Sequence, residues 1–336
     1  MIVTRAPMRI SFVGGGTDLP NFYKKYPGRV LSVTIDKFVY IVINDSSFNK
    51  KFIIKYSETE SVNHPIEFKH DRFKEALIKL NINKGVEIAS FADLPSNTGL
   101  GSSSTFSVAL MKALQAFLGN KISKEEAASL ACELEIDILK EPIGKQDQYA
   151  ASYGGFNIIQ FNEDGTVDVE PLFIDYTLKS KLEEHTLLFF TGITRSASSV
   201  LGEQSKKVEE NFETYKQMSD SVLIFKEKLL NGDLRGMAEM LNEGWKRKKS
   251  LASGVSNSVT DIFMETGISA GAWGGKILGA GGGGCLFFIV PPEKHSSVRR
   301  ALEKKAKELK LDNFQDIHFN FIQSGVDVLF NSSHNN

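Results

Sequence analysis

A glycine- and serine-rich loop at residues 93–105 restricts the possible folds of this chain more than any other segment. It reads Asp-Leu-Pro-Ser-Asn-Thr-Gly-Leu-Gly-Ser-Ser-Ser-Thr and lies between a predicted strand at residues 86–91 and a predicted Ala- and Leu-rich helix at residues 103–118. Backbone N–H groups at a helix N-terminus lack intrahelical partners, and the helix dipole favours an anion beside them. Gly99 and Gly101 allow phosphate oxygens to approach the backbone closely. We therefore predict an anion-binding loop, named the phosphate loop below, although it is not a Walker loop because no Gly-Lys-Ser/Thr follows the glycines.

Two further glycine clusters flank this loop in the sequence. Residues 279–284 read Gly-Ala-Gly-Gly-Gly-Gly, which matches the letters of a dinucleotide-binding fingerprint, but a predicted strand at residues 286–290 follows them instead of a helix. Four consecutive glycines lose much entropy on folding, so we expect this run to let two backbones, or a backbone and a ligand, approach closely. The other cluster, in residues 9–18, is a strand that runs into a turn of three glycines.

Composition excludes several classes of protein. The 336 residues include 40 Lys and Arg against 41 Asp and Glu, so the chain has no basic excess for nucleic acid or for an anionic membrane. No apolar stretch reaches the ~18 residues of a membrane span, and the first residues lack a signal-peptide core. Both cysteines, Cys132 and Cys285, lie in apolar stretches. We expect reduced thiols in a cytoplasmic protein.

The order of predicted elements indicates an α+β protein of two lobes that share a cleft. Strands dominate the first ninety residues, and helices are predicted at 202–230 and 233–249. Ser123 opens another helix with a capping box, because Glu126 follows three residues later. We expect an N-terminal lobe at residues 1–180 and a C-terminal lobe at 181–336. The early strands are predicted at residues 10–13, 30–35, 39–43 and 52–56.

Taken together, the three glycine-rich segments resemble the GHMP kinase family. Pro95 with the run Gly99–Ser104 is similar to the family's phosphate loop, and Ala6-Pro7 with Arg9, Thr17 and Asp18 is similar to its sugar-site motif. Residues 276–284 resemble its C-terminal motif. Within the family, residues 9–20, 144–149 and 191–195 look most like the D-glycero-D-manno-heptose 7-phosphate kinases.

This resemblance implies a fold, an activity and ligands. The fold is the two-lobed α+β GHMP kinase fold with the active site in the cleft. The enzyme would transfer the γ-phosphoryl of ATP, with Mg²⁺, to the anomeric hydroxyl of D-glycero-D-manno-heptose 7-phosphate, for nucleotide-activated heptose and a surface glycan. It would act on this small sugar phosphate as a monomer or homodimer, without nucleic-acid or membrane partners. Two alternatives stay open: a kinase of another sugar (fucose, galactose or unphosphorylated heptose), and a catalytically silent nucleotide- or sugar-binding regulator.

The resemblance also assigns ATP and magnesium residues. Magnesium would bind Ser103 and Glu135, and oxygen ligands suit this ion. The helical neighbours of Glu135 are apolar, which independently indicates that its carboxylate is not solvated. The alternative to a magnesium ligand is a buried carboxylate that pairs with a lysine. The residues assigned to ATP are Pro95, Gly99, Leu100, Gly101, Ser102, Ser103, Ser104 and Thr105.

Asp147 and Arg9 are the expected catalytic pair. Asp147 matches the aspartate that takes the proton of the sugar hydroxyl in galactokinase and mevalonate kinase, and Arg9 matches the arginine beside it. A carboxylate that only orients the hydroxyl, without acting as the base, is the alternative.

The remaining assignments concern the sugar. Gly15 and Gly16 stand where galactokinase carries larger side chains, which leaves room for a larger or phosphorylated sugar. We expect Arg195 to hold a substrate phosphate bidentately, with Lys248, Lys249 and Lys276 as alternatives. The basic run at 246–249 also suits a solvated helix end. The residues assigned to the substrate are Gly15, Gly16, Thr17, Asp18, Lys145, Gln146, Arg195, Gly281 and Gly282.

Overall fold

The computed structural model describes residues 1–46, 48, 50–194, 197–252 and 254–332, with backbone only at 197–199. Helices and strands alternate in it, and the predicted α+β class is confirmed. The strands are β1 (Ile2–Val13), β2 (Gly28–Asp45), β3 (Phe52–Lys55), β4 (Thr59–Val62), β5 (Val86–Ala92), β6 (Phe156–Phe161), β7 (Val167–Pro171), β8 (Thr186–Phe190), β9 (Gly274–Ile277), β10 (Cys285–Ile289), β11 (Gln315–Asp316), β12 (Phe321–Ile322) and β13 (Asp327–Asn331).

The α-helices carry most of the later chain. Short 3₁₀ turns cover Pro65–Glu67 and Pro292–Lys294, and a π-helical segment covers Glu133–Ile138. The helices are α1 (Pro20–Tyr23), α2 (Asp71–Lys79), α3 (Ser102–Phe117), α4 (Lys124–Cys132), α5 (Gln146–Tyr153), α6 (Tyr176–Glu184), α7 (Ala197–Lys206), α8 (Phe212–Leu230), α9 (Leu234–Lys249), α10 (Ser258–Ser269) and α11 (His295–Glu308).

The larger sheet is organised around β2. The strand order is β13-β1-β2-β5-β3-β4, and β6 and β12 also pair with β2. The two strands predicted at 30–35 and 39–43 are one continuous strand of 18 residues. Its first half pairs with β6 and its second half with β5. The polar residues between the two halves lie where the register with β1 shifts, between Pro7 and Arg9. The sequence pattern resembled a turn there because a bulge also tolerates polar residues.

The end of the described chain returns to this first sheet. β12 pairs with β2, and β13 pairs with β1 along the edge of the sheet. The smaller sheet is antiparallel, with the order β11-β8-β10-β9. The lobe boundary expected near residue 180 stays a prediction, and residues 321–331 lie in the sheet of the first lobe.

One apolar cluster joins the two sheets. The ring of Phe12 on β1 lies 5.4 Å from that of Phe225 on α8 and 5.6 Å from that of Phe287 on β10, measured between centroids. All three side chains are buried. The end of β1 is therefore held between the lobes, which positions the glycine turn that follows it.

The helix predicted at 202–230 is two helices. α7 ends at Lys206 and α8 begins at Phe212. Val208 in the connection is buried in a cluster with Phe22 and Tyr215, and this contact diverts the chain from a single axis. The capping box at Ser123 and the helix at 233–249 are confirmed. α10, which the sequence analysis missed, begins with a capping box at Asn257.

The remaining general expectations concern membranes and thiols. Within the described ranges, no helix is both long and apolar enough to cross a bilayer. Cys132 and Cys285 are buried free thiols.

Candidate active site

The phosphate loop joins β5 to α3, in the strand–loop–helix order that the sequence predicted. Asn97, Gly99 and Gly101 all adopt positive φ, and Gly101 is the N-cap of α3. This N-cap has no side chain to accept from the first-turn N–H groups, and no acidic residue lies in the first turn. The helix therefore begins with uncapped donors beside the exposed hydroxyl of Ser103, a suitable place for phosphate oxygens.

Arg9 connects this loop to Asp147. Its guanidinium, 2% exposed, donates through Nε and Nη2 to the two carboxylate oxygens of Asp147, both at 2.8 Å. Nη1 donates to the carbonyl of Gly99 at 2.7 Å, and the backbone N–H of Arg9 donates to Leu100 at 3.0 Å. A Cβ on Gly101 would lie 3.3 Å from the Asp147 carboxyl carbon, so glycine brings the loop against this carboxylate. The structure thus places the two predicted catalytic residues together at the phosphate loop.

Asp18 faces the same cavity from the glycine turn after β1. Its Oδ1 accepts from Gly16 N–H and its Oδ2 from Gln146 N–H, both at 3.1 Å. Burial raises the pKa of Asp18, and the charge of Asp147 acts in the same direction, against the lowering effect of these hydrogen bonds. A Cβ on Gly144 would lie 2.0 Å from Oδ2, so only glycine fits beneath the carboxylate. Asp18, Gln146 and Asp147 line a cavity of about 200 Å³ together with Ser103.

Other residues assigned to the substrate lie elsewhere. The hydroxyl of Thr17 donates to the carbonyls of Gly14 and Arg29, both at 2.8 Å. The ammonium of Lys145 donates to Gly165 at 2.7 Å and lies over the ring of Tyr23. Both side chains are therefore hydrogen-bonded to the scaffold in the structure, and their contacts with the sugar stay a prediction. Arg195, the expected phosphate ligand, lies outside the described residues.

The glycine run packs the second lobe onto the phosphate loop. A Cβ on Gly279 would lie 2.7 Å from the Cα of Gly99, and the N–H of Cys285 donates to Thr98 at 2.8 Å. The predicted close approach of two backbones is thus present. Gly281 and Gly282, assigned to the substrate, pack against Val255 instead, and the N–H of Gly282 donates to its carbonyl at 2.7 Å. The assignment of these two glycines to the substrate stays a prediction.

Glu135 is fully buried in the π-helical segment and carries several partners. Its carboxylate accepts from Arg72 at 3.2 Å, from Ser107 at 3.0 Å and from Gln148 at 2.6 Å. The expected alternative of a buried ion pair is present, with an arginine in place of a lysine. Ser107 lies one turn after Ser103 on α3, so the carboxylate is close to the predicted magnesium serine. The oxygen donors suit Mg²⁺, but these partners already occupy both carboxylate oxygens.

The three candidate lysines differ sharply in environment. Lys248 is buried and donates to the carbonyl of Gly279, and burial with the nearby Arg9 lowers its pKa to about 8. Lys276 donates to the carbonyls of Ser11 and Phe12, both at 2.9 Å, and burial lowers its pKa well below the usual value. Lys249 forms a surface ion pair with Asp261 at 3.0 Å.

Lys248 is the lysine that reaches the catalytic residues. It lines a cavity of about 90 Å³ together with Arg9 and Asp147. The sequence held a signal for this position, because Leu241 and Trp245 precede it at the helical spacing of a buried face of α9.

A wider cavity of about 780 Å³ opens on the other side of the phosphate loop. Its lining includes Pro95, Asn97 and Ser103 of the loop together with aromatic side chains from four segments of the chain. No sequence pattern connected these elements, since they meet only in the folded chain. The aromatic lining consists of Tyr56, His70, Phe91 and Phe106.

The uncapped loop, the carboxylate held by Arg9 and the three cavities around them suit the transfer of a phosphoryl group. Residues 69–155 match the GHMP kinases N terminal domain and residues 225–308 match the GHMP kinases C terminal family. The chain belongs to the GHMP kinase family, and it is a phosphotransferase with an alcohol group as acceptor. The predicted family and enzyme class are confirmed.

The chain is also similar to individual sugar kinases and sugar-phosphate kinases. The chain is 33% identical to the D-glycero-alpha-D-manno-heptose 7-phosphate kinase of Campylobacter jejuni, over 97% of this chain and 98% of that protein. A crystal structure of a D-glycero-D-manno-heptose 1-phosphate kinase from Bacteroides thetaiotaomicron superposes with a TM-score of 0.79 and 27% identity, over 98% of both chains. The galactokinase of Thermococcus kodakarensis is 25% identical over 88% of this chain and 91% of that protein.

Proposed function

We propose that this enzyme transfers the γ-phosphoryl of ATP to the anomeric hydroxyl of D-glycero-D-manno-heptose 7-phosphate and forms the 1,7-bisphosphate. The observation that carries the proposal is the full-length similarity, at 33% identity, to a heptose 7-phosphate kinase. The site is consistent with it, because the turn beside Asp18 carries no side chains at Gly15 and Gly16. The product would serve nucleotide-activated heptose and surface glycan synthesis in the cytoplasm.

ATP fits on the phosphate-loop side of the cleft. The aromatic cavity of about 780 Å³ suits the nucleoside, and the uncapped N-terminus of α3 suits the phosphates. Ser103 and Glu135 would hold Mg²⁺, which supplies charge neutralisation on the phosphates when bound. In the structure Arg72 donates to Oε1 of Glu135 and Gln148 donates to Oε2, so a bound Mg²⁺ would share the carboxylate with these partners or displace one of them.

Asp147 would take the proton of the acceptor hydroxyl. As the sugar oxygen bonds to the γ-phosphorus, the bond from that phosphorus to the bridging oxygen breaks, ADP leaves and the hydroxyl proton passes to the Asp147 carboxylate. Arg9 holds this carboxylate in place with two hydrogen bonds of 2.8 Å. Asp18 accepts hydrogen bonds from other sugar hydroxyls and fixes the orientation.

ADP release, measured with Mg²⁺ and ATP over a panel of acceptors, tests this proposal. The panel contains D-glycero-D-manno-heptose 7-phosphate, the corresponding 1-phosphate, unphosphorylated heptose, galactose and fucose. We expect turnover on the 7-phosphate to exceed all others. For Asp147→Asn we expect a kcat lower by about 10²–10⁴-fold, the usual contribution of a positioned base, at an unchanged KM for ATP.

Each other outcome of the panel contradicts a defined part of the proposal. Preferred turnover of the 1-phosphate would place the reaction at another hydroxyl. Preferred turnover of galactose or fucose would keep the kinase and change the acceptor. ATP binding without turnover on any acceptor would favour the regulator. Full activity of Asp147→Asn would show that Asp147 is not the base and that the reaction proceeds without one.

A further inference from the structure

A buried glutamine beside the catalytic cavity has no hydrogen-bond partner in the described part of the chain. Gln204 on α7 is fully buried, and neither its amide oxygen nor its amide nitrogen has a partner among the residues that the structure describes. The side chain lines the cavity of about 90 Å³ that also contains Asp147. Buried polar groups without partners are rare and cost stability, so a ligand in this cavity is the natural partner of the amide.

The position of Gln204 connects it to the sugar-binding turn. A Cβ on Gly16 would lie 4.0 Å from Gln204 Oε1 and 3.3 Å from the ring of Tyr215. The hydroxyl of Tyr215 is also buried and has no partner in the described part of the chain. Gly16 itself donates to Asp18. The amide therefore lies beside the turn that holds the acceptor, at the edge of the cavity that also reaches the phosphate loop.

Lys248 brings a positive charge to the same cavity. Within the described ranges no carboxylate lies at ion-pair distance from its ammonium, and its hydrogen bond to Gly279 uses one of three donors. The other cation of the cavity, Arg9, is already occupied by Asp147 and by the carbonyl of Gly99. Among the described residues that line this cavity, Lys248 is therefore the cation that remains available for an additional anion.

From these contacts we infer that Gln204 and Lys248 form the subsite for the phosphate group that the acceptor sugar already carries. The inference rests on the proposed function and assigns the residues that read the phosphorylated end of the substrate. A buried lysine provides the charge and the glutamine amide provides a further donor, which together bind phosphate oxygens strongly. The N-terminus of α3 already provides for the phosphates of ATP.

Steady-state kinetics of Lys248→Met, Gln204→Leu and Gln204→Glu test the inference. We expect the KM for heptose 7-phosphate to rise by at least about ten-fold in Lys248→Met, the loss typical of one charged hydrogen bond. The nearly isosteric Gln204→Glu adds a negative charge, so its KM for the same substrate should rise more than that of Gln204→Leu. In all three variants the KM for ATP should stay within about two-fold of the wild-type value.

Controls separate recognition of the phosphate from damage to the fold. Lys249→Met removes the neighbouring lysine, which is ion-paired at the surface with Asp261, and should leave both KM values unchanged. Binding of heptose 7-phosphate without ATP, measured by titration calorimetry, should weaken in Lys248→Met but not in this control. Thermal unfolding of every variant identifies those that fail to fold, and Gln204→Glu remains informative if Lys248→Met does not fold.

Three results would overturn the inference. A KM for heptose 7-phosphate that is unchanged in both Lys248→Met and Gln204→Glu removes the subsite. A selective rise in the KM for ATP assigns Lys248 to the transferred phosphoryl group instead. If wild-type enzyme uses only unphosphorylated sugars, both the inference and the proposed function are wrong. If it prefers another phosphorylated sugar, only the proposed acceptor is wrong, and the same comparison with that sugar decides the subsite.

Discussion

At the scale of single residues, Arg9 organises the site. This one buried guanidinium contacts Asp147, through two nitrogens, and the carbonyl of Gly99. Desolvation of a guanidinium is costly unless its donors are satisfied, and here all three contacts serve the cleft. The phosphate loop and the proposed base are therefore positioned by the same side chain. A lysine would not reproduce this arrangement, because it lacks the planar fork of donors.

Lys248 illustrates the opposite case, a buried charge that costs stability. Burial and Arg9 lower its pKa to about 8, while Asp18 and Asp147 raise it by a smaller amount, and Lys276 lies nearby. The unfolded chain binds this proton more tightly, so the charged lysine destabilises the folded state below pH 8. This cost disappears as the pH rises from about 8 towards the unfolded value of about 10.4.

Lys248→Met should therefore stabilise the protein in a pH-dependent way. We expect its melting temperature to exceed that of the wild type at pH 7, and we expect the difference to shrink as the pH approaches 10. Thermal unfolding at both pH values measures this difference, with Lys249→Met as the matched control. A variant that is less stable than the wild type at pH 7 would contradict the prediction and indicate a structural role for the ammonium. Stability that increases while substrate binding weakens is the usual trade-off at a functional site.

At the scale of elements, the contact between the phosphate loop and the glycine run determines the geometry of the cleft. Gly99 and Gly279 both adopt positive φ, and a Cβ would lie 2.5 Å from the Leu278 carbonyl oxygen if added to Gly99, or 2.7 Å from Gly99 Cα if added to Gly279. The contact is continued by the hydrogen bond from Cys285 at the start of β10 to Thr98. The loop is therefore held by the second lobe as well as by its own strand and helix.

Gly279→Ala should disturb this contact. The new Cβ would lie 2.7 Å from Gly99 Cα, and the backbone would be strained at φ +70. We expect a loss of about 1–3 kcal/mol in the free energy of unfolding, measured by denaturant titration, together with a raised KM for ATP. Gly244→Ala on α9 is the control, since its Cβ meets nothing within 4 Å. This substitution should raise the free energy of unfolding by about 0.5–1 kcal/mol. Equal stability of the two variants would show that the loop contact adjusts without cost.

At the scale of the whole molecule, contacts outside the active-site cleft also hold the two lobes together. The Phe12 cluster packs the end of β1 against both α8 and β10. Lys276 on β9 donates to the carbonyls of Ser11 and Phe12, which adds a polar connection beside it. β13 then returns to the first sheet and covers the edge of β1. Segments from both ends of the chain thus contribute to one sheet.

Removal of residues 327–336 should destabilise the whole protein. The truncation exposes the edge of β1 at Ile2–Arg5 and removes Val328, which packs against the core of the first sheet. We expect a lower melting temperature and increased aggregation, measured by thermal unfolding and light scattering, because an unpaired edge strand pairs with other chains. Truncation of residues 333–336 is the control and should leave both unchanged. An unaltered melting temperature in the longer truncation would make β13 dispensable.

Local physics explains what could be predicted from the sequence. The phosphate loop, the capping box at Ser123 and the α9 helix depend on hydrogen bonds and periodicities within a few residues, so their patterns are visible in the chain. The entropy that four consecutive glycines lose on folding predicted a close backbone contact at the glycine run, but only the structure identified the phosphate loop as its partner. The prediction of one helix over 202–230 was wrong because Val208 packs against residues that are distant in sequence, and local periodicity carries no information about such contacts.

The composition and motifs of the sequence by themselves determined the α+β class, the strand–loop–helix order around the phosphate loop and the family. Only the tertiary structure decided which side chains meet: Arg9 with Asp147, which are 138 residues apart, and Glu135 with Arg72, which are 63 apart. It also buried Lys248 beside Asp147, whereas the adjacent Lys249 forms an ion pair with Asp261 at the surface. The physical reason is that local hydrogen bonding and side-chain periodicity are encoded in neighbouring residues. Charge pairing, desolvation and close backbone contact depend on segments that become neighbours only when the sheets and helices pack.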